Sequence, residues 1–91
     1  MAIGAIAALQ EAGRKPGEDV IVVSIDGENA AMDAILDGTL GASVESSPFF
    51  GPIAFETMQK YIDGEDIPDW VKVEDRFFDK DNAAEFQGKQ F

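Results

Sequence analysis

What most limits the folds open to this chain is a repeated change in the spacing of its apolar residues, with a glycine near most of the changes. Ala-rich residues 2 to 12 have the three- and four-residue spacing of a helix that Gly13 would end. Residues 20 to 25, VIVVSI, are rich in β-branched residues and predict a strand covered on both faces of a parallel sheet. Residues 29 to 37 again have the spacing of a helix.

The same alternation continues through the second half of the chain. Residues 40 to 45 predict a second strand, and residues 51 to 62 predict the longest amphipathic helix. Residues 70 to 78 predict a half-buried or edge strand, because valines alternate there with charged residues. Asp79 is expected to cap a short terminal helix. The predicted fold is therefore α/β, with a three-stranded, mainly parallel sheet and flanking helices.

Length and composition limit how stable this chain can be on its own. It has 91 residues with no cysteine and no histidine, so a single small unit would have neither disulfides nor the usual zinc ligands to stabilise its core. A parallel sheet needs cover on both faces and usually has more than three strands. We therefore expect the chain to be one fragment of a larger fold.

The negative charge of the chain argues against a nucleic-acid partner. Eighteen acidic and seven basic residues give a formal charge of −11, and the one basic pair, Arg14-Lys15, lies in a predicted turn. Nucleic acids are bound by clustered basic residues, so no nucleic-acid partner is expected.

No stretch approaches the roughly 20 apolar residues that span a bilayer. Residues 1 to 9 lack the basic start of a signal peptide, so a secreted parent would need a leader that this chain does not carry.

No pattern in the sequence predicts an enzyme. Without histidine or cysteine the chain has no Ser-His-Asp or Cys-His arrangement, and it has no phosphate-binding glycine loop. No two of the acidic residues are singled out as a pair for glycoside hydrolysis. The acidic residues between positions 63 and 69 lack the spacing of a calcium loop and are interpreted as a solvated turn. We predict a non-catalytic chain with no cofactor and no metal site.

Several long runs of the sequence resemble a known family. MAIGAIAALQEAGRKPGEDVIVVSIDG, DGTLGASVESSP and FFGPIAFETMQKYIDGE resemble the C-terminal third of the ribose- and galactose-type solute-binding proteins of bacterial ABC importers. SIDG, VESSPFFGP and the tail IPDWVKVEDRFFDKDNAAEF look most like the galactofuranose-binding branch. The resemblance covers essentially the whole chain. LacI-type repressors share this core as their effector-binding domain, but no DNA-reading segment is present here.

The resemblance implies a partial periplasmic-binding-protein type I fold, in which two lobes hold sugar in the cleft between them. Residues 1 to 44 would belong to one lobe, residues 45 to 48 would form a hinge-like crossing, and residues 49 to 91 would return to the other lobe. For the full-length protein it implies a periplasmic location, a monosaccharide ligand and an ABC importer permease as partner. The Asn-Asp-Glu run that usually precedes the position of Met1 is missing, and with it a sugar-binding asparagine. The chain alone is therefore expected to bind sugar weakly.

Asp26 is the first candidate sugar ligand. It follows the predicted strand VIVVSI, at the carboxyl end where open α/β sheets place their ligands. Its carboxylate can accept charge-assisted hydrogen bonds from two adjacent sugar hydroxyls. From the pattern alone, an Asp that orders the Asp-Gly turn or caps the next helix is the commoner outcome. The resemblance instead implies that the strand-end Asp binds sugar.

Ser46 is the second candidate, and the resemblance places it at a hinge position where ribose binders have a polar sugar contact. Its alternative role is to cap the helix that follows. Glu45 is expected to face water. Phe49, Phe50 and Trp70 are expected to lie in the core rather than to stack on sugar.

Two functions from different classes are compatible with the sequence. The first is the carbohydrate-binding component of an ABC sugar transporter, present as a fragment. The second is a self-associating protein-interaction module, and an effector-binding fragment of a LacI-type regulator is a further alternative. The first helix carries Ile3, Ile6 and Leu9 among alanines and has almost no polar face. Because a three-stranded unit would leave much of this surface uncovered, we expect a homodimer or higher oligomer.

Overall fold

The computed structural model describes residues 1 to 91, which form four helices and three strands. The helices are α1 (Ala2–Glu11), α2 (Asn29–Asp37), α3 (Gly51–Ile62) and α4 (Ala83–Phe86). The strands are β1 (Val23–Asp26), β2 (Ala42–Glu45) and β3 (Phe77–Asp79). Helices and strands alternate in the first half of the chain as predicted, and the predicted α/β class is confirmed. None of the helices is both long and apolar enough to cross a membrane.

The sheet is mixed and has the order β1-β2-β3. Strands β1 and β2 run parallel, with Val23 opposite Ala42 and Asp26 opposite Glu45. Strand β3 runs antiparallel to β2 and places Phe78 opposite Ser43. The expectation of a mainly parallel sheet thus holds for the first pairing only, because the chain leaves the sheet after β2 and re-enters it from the same end.

The strand predicted over residues 70 to 78 is wrong for most of its length. Residues 70 to 76 have no regular structure, and the pairing with β2 begins at Phe77. The two valines that produced the alternating pattern, Val71 and Val73, instead lie beside α3 and line a shallow depression with it. Their alternation reflects packing on a helix rather than on a sheet.

The predicted capping role of Asp79 is also wrong. Asp79 is the last residue of β3, and α4 begins only at Ala83 with Asn82 before it. The Asp79 carboxylate accepts a hydrogen bond from the Asp81 backbone N–H at 2.9 Å. The Asn82 side-chain oxygen in turn accepts one from the Asp79 N–H at 3.0 Å. These bonds make a turn between strand and helix, which is the other common role of such side chains.

The core lies between one face of the sheet and the helices α1, α2 and α4. Helix α2 supplies three of its seven buried apolar residues, because its apolar side chains recur on the face turned towards the sheet. The buried apolar residues are Ile6, Ala31, Met32, Ile35, Leu40, Phe78 and Ala83. The opposite face of the sheet is open, which contradicts the expected cover on both faces of the first strand. Its exposed apolar residues are Val23, Ile25, Val44 and Phe77.

The molecule is elongated because residues 46 to 75 project from the sheet. Its extents are 59 × 24 × 16 Å and its radius of gyration is 17.4 Å, whereas a compact domain of this length would have a radius of gyration of about 12 Å. We call residues 46 to 75 the projecting segment and the remainder the sheet body. Helix α3, inside the projecting segment, buries none of its residues. After the projecting segment, β3 pairs with β2 and α4 packs on α2.

Candidate functional site

Asp26 ends β1 in a backbone conformation that is rare for a residue with a side chain. Its φ is 103°, and every other residue of the chain with a positive φ is a glycine. Such a conformation costs on the order of 1–3 kcal/mol and is concentrated at functional sites. The residue before α2 is Glu28, and no side chain caps this helix. The capping alternative for Asp26 is therefore wrong, and its carboxylate lies exposed at the end of the strand.

A buried serine beneath Asp26 holds the turn that follows it. The Ser43 hydroxyl accepts hydrogen bonds from the Gly27 backbone N–H at 3.1 Å and from the Ser24 hydroxyl at 2.8 Å. Ser43 is fully buried. Gly27 also has a positive φ, of 71°, and its Cα faces the ring of Phe78. The direction of the Asp26 side chain is thus set by buried contacts of its neighbours, not by a hydrogen bond of its own carboxylate.

Ser46 is brought next to Asp26 through the backbone. The Ser46 N–H donates to the Asp26 carbonyl oxygen at 3.1 Å. The two side chains nevertheless line different concavities. Asp26 lies at the rim of one of about 640 Å³ between α1 and β1, and Ser46 lines one of about 450 Å³ at the base of the projecting segment. The structure places the two predicted site residues together but does not point them into one pocket.

The capping alternative for Ser46 is wrong. Helix α3 begins at Gly51 with Phe50 before it, and no side chain caps it. The neighbouring Ser47 makes the local turn instead, since its hydroxyl accepts from the Phe49 N–H at 3.1 Å. The Ser46 side chain is exposed.

The concavity beside Ser46 combines aromatic and polar groups. Phe49, Phe50 and Trp70 were expected in the core, but their exposed fractions are 66%, 54% and 74%. That expectation is wrong because the packing partners of a core are absent around the projecting segment. The ammonium of Lys72 lies 4.6 Å from the centre of the Trp70 ring. The concavity is lined by Ser46, Ser47, Phe50, Trp70, Lys72, Val73 and Asp75.

Glu45 does not face water, as had been expected, but is buried in an ion pair. Arg76 donates from Nε to Glu45 Oε2 at 2.7 Å and from Nη2 to Oε1, and its backbone N–H donates to Oε2 at 3.1 Å. These bonds, above all those from the guanidinium, hold the pKa of Glu45 below its ordinary value despite burial. Their contribution to stability is therefore present at neutral pH and is lost as the pH falls through that lowered pKa.

The chain is similar along most of its length to proteins that bind sugars. It is 48% identical over 61 residues to the galactofuranose-binding protein YtfQ of Escherichia coli, covering 67% of this chain and 19% of YtfQ. It is 33% identical over 85 residues to the fructose import binding protein FruE of Bifidobacterium longum, covering 93% of this chain and 25% of FruE. Both relatives are named as binding proteins. No model of a known protein family matches the chain.

Solved structures share the fold of this chain. A galactofuranose binding protein matches it with a TM-score of 0.86 and 37% identity, over 97% of this chain and 30% of that one. The binding protein of the arabinose ABC transporter from Shewanella, bound to α- and β-L-arabinofuranose, gives the same TM-score, identity and coverage. The chain spans 19% to 30% of the lengths of these relatives and structures. The predicted type I periplasmic-binding-protein fold is confirmed, and so is the resemblance of this chain to the periplasmic sugar-binding proteins of ABC importers.

Proposed function

We propose that this chain forms part of the carbohydrate-binding component of an ABC sugar importer and has no catalytic role. The observation that carries the proposal is the Asp26 carboxylate, which is exposed at the carboxyl end of β1 on a strained backbone. Open α/β sheets bind ligands at this edge. A carboxylate held there accepts hydrogen bonds from sugar hydroxyls. The relatives named for galactofuranose and fructose support a monosaccharide as ligand, a periplasmic parent protein and a permease as its partner.

Ser46 is proposed as a second polar contact to the sugar. Its backbone bond to Asp26 keeps the two residues adjacent, and it lines the same concavity as the exposed Phe50 and Trp70. Aromatic rings next to a few polar groups are typical of small-molecule sites. The two concavities are open rather than enclosed, so the chain supplies one wall of a cleft. Alone, it would bind a monosaccharide no more tightly than a dissociation constant of about 1 mM.

A chimeric protein tests the role of Asp26. Residues 1 to 91 would replace the structurally equivalent segment of the galactofuranose binding protein whose fold matches 97% of this chain, which restores the rest of the cleft. We expect the chimera to bind galactofuranose, and Asp26→Ala to weaken binding by at least about 1.5 kcal/mol, or about tenfold, because the sugar loses bonds to a charged group. Isothermal titration calorimetry measures the affinity once circular dichroism shows that the chimera is folded.

The control for this experiment is Asp37→Ala, which removes an exposed carboxylate from the other end of α2. It should leave the affinity unchanged. If the Asp26→Ala chimera binds sugar as tightly as its parent, Asp26 has only a structural role in the turn. A folded chimera that binds no sugar would contradict the proposed function itself.

We also propose that the isolated chain self-associates through its sheet. Strand β1 is an edge strand, so its outer N–H and C=O groups are unpaired. The open face beside it carries Ile25, Val44 and Phe77, which are exposed by 68%, 44% and 55%. Helix α1, the surface predicted for the interface, contributes less, because Ile6 is buried in the core. Pairing two β1 edges across a two-fold axis would satisfy these backbone groups. Packing the two open faces against each other would cover their apolar side chains.

Light scattering after size exclusion tests this association at micromolar concentration. We expect a mass of at least twice the 9.8 kDa of one chain, and more association at higher salt because the repulsion between acidic chains is screened. Ile25→Lys should yield monomers. Met58→Lys, which changes an exposed residue of α3, should not. Monomers from Met58→Lys alone would place the interface on α3, and a monomeric, folded parent chain would contradict self-association.

A further inference from the structure

One ion pair joins the two points at which the chain leaves and re-enters the sheet body. Glu45 is the last residue of β2, immediately before the projecting segment, and Arg76 follows its last residue. The two residues are 31 positions apart, yet the Glu45 N–H donates to the Arg76 carbonyl at 2.7 Å and Arg76 Nε donates to the Glu45 carboxylate at 2.7 Å. Backbone and side chains thus close the base of the projecting segment together.

The surroundings of the pair give it a fixed geometry. Glu45 is only 4% exposed, and both of its carboxylate oxygens accept hydrogen bonds from Arg76. The guanidinium carbon of Arg76 lies 4.7 Å from the centre of the Phe86 ring and 5.3 Å from that of Phe78. A planar guanidinium that is bonded at two nitrogens and stacked on aromatic rings has little freedom to rotate.

The pair is also tied to the far end of the chain and to α2. Arg76 Nη2 lies 3.5 Å from the Gln90 side-chain oxygen. The Asn29 side-chain amide donates to the Gln90 carbonyl oxygen at 2.7 Å, and the Asn29 side-chain oxygen accepts from the Gln90 N–H at 3.0 Å. Asn29 is the first residue of α2. The base of the projecting segment is therefore connected to the helix that supplies three of the seven core residues.

We propose that Glu45 and Arg76 form a clamp that fixes the angle between the projecting segment and the sheet body. Helix α3 has no buried residue that would hold this angle by packing, and the edge-to-face contact of Phe49 with Phe91 joins two exposed rings. The clamp also positions Ser46, which follows Glu45 directly and is bonded to Asp26. The proposal concerns the geometry of the chain itself, so its failure would leave the proposed sugar binding untouched.

The angle is measured as a distance between two spin labels on the 91-residue chain. The chain has no cysteine of its own, so Asp37→Cys on α2 and Gln59→Cys on α3 provide two exposed labelling sites. Pulsed electron paramagnetic resonance gives the distribution of label distances, and excess unlabelled chain removes distances between copies. We expect Glu45→Gln to broaden this distribution by at least about a factor of two, as release of a hinge would.

The matched control is Glu56→Gln, which breaks the exposed ion pair between Glu56 and Lys60 within α3. It makes the same chemical change away from the clamp and should leave the distribution unchanged. Arg76→Lys keeps the charge but loses the planar fork, and it should broaden the distribution as Glu45→Gln does. Arg76→Lys therefore also tests the clamp if the Glu45→Gln variant does not fold. A distribution that stays narrow in the clamp variants, or that broadens equally in Glu56→Gln, overturns the proposal.

Discussion

Phe78→Ala is expected to lower the free energy of unfolding by about 3–5 kcal/mol, the usual cost of removing a fully buried aromatic ring. Phe78 is 0% exposed and its ring centre lies 5.2 Å from that of Phe86. It joins β3 and α4 to the core residues of α2. A native domain has a stability of about 5–15 kcal/mol, so the variant should lose a large share of it. Urea titration followed by circular dichroism measures the loss.

The neighbouring Phe77 supplies the control for this prediction. It has the same side chain one position earlier in β3, but it points to the open face and is 55% exposed. Phe77→Ala should cost less than about 1 kcal/mol, as surface substitutions usually do. Equal losses from the two variants would show that the open face of the sheet is covered in solution and that the core is not confined to one side. Repeating both substitutions in the Ile25→Lys variant, which should be monomeric, shows whether self-association provides this cover.

Helices α1, α2 and α3 and strands β1 and β2 were predictable from sequence because each produces a local pattern. The helix predicted over residues 29 to 37 has the bounds that the structure gives to α2, and Gly38 follows it in the left-handed conformation of a helix end. Strand β1 is shorter than the run of β-branched residues that predicted it, since its pairing with β2 begins only at Val23. Periodicity shows that an element exists, whereas pairing decides where it starts.

Strand β3 was misplaced because a strand is defined by its neighbours. The valines at 71 and 73 alternate with charged residues as an edge strand would, but no strand lies beside them and α3 does. Phe77 and Phe78, which carry no alternation of their own, pair with β2 instead. Strand propensity is largely a measure of packing against such neighbours, so the sequence pattern alone could not distinguish the two outcomes.

The position of Asp26 was predictable because a run of β-branched residues that ends at Asp-Gly is visible in the sequence. Its partnership with Ser46 came from the resemblance to a family, and the backbone bond between them became visible only in the structure. The Glu45 and Arg76 pair left no local signal, because its members lie 31 positions apart. Most carboxylates in a chain with eighteen acidic residues are solvated, which is why Glu45 was expected to face water.

Gly27→Ala is the second substitution from which a large effect is expected. Gly27 has a φ of +71°, and a Cβ added to it would lie 2.8 Å from the Phe78 ring carbon Cε2 and 3.3 Å from the Glu45 Cα. The left-handed backbone costs alanine about 1–2 kcal/mol, and overpacking a filled core adds about 1–3 kcal/mol. Because the Phe78 ring is fully buried and β2 lies behind it, neither neighbour can move aside without disturbing the core. We expect a total loss of about 2–5 kcal/mol of unfolding free energy.

Gly64→Ala separates the two parts of this cost. Gly64 has a similar φ of +79°, but nothing lies within 4 Å of the position of its added Cβ. It should therefore lose only the backbone part, about 1–2 kcal/mol, and the difference between the two variants in urea titrations measures the contact with Phe78. Equal losses would mean that the Asp26-Gly27 turn is not pressed against the core. Since that contact fixes the turn carrying Asp26, Gly27→Ala in the chimera should weaken galactofuranose binding, while Gly64→Ala should leave it unchanged.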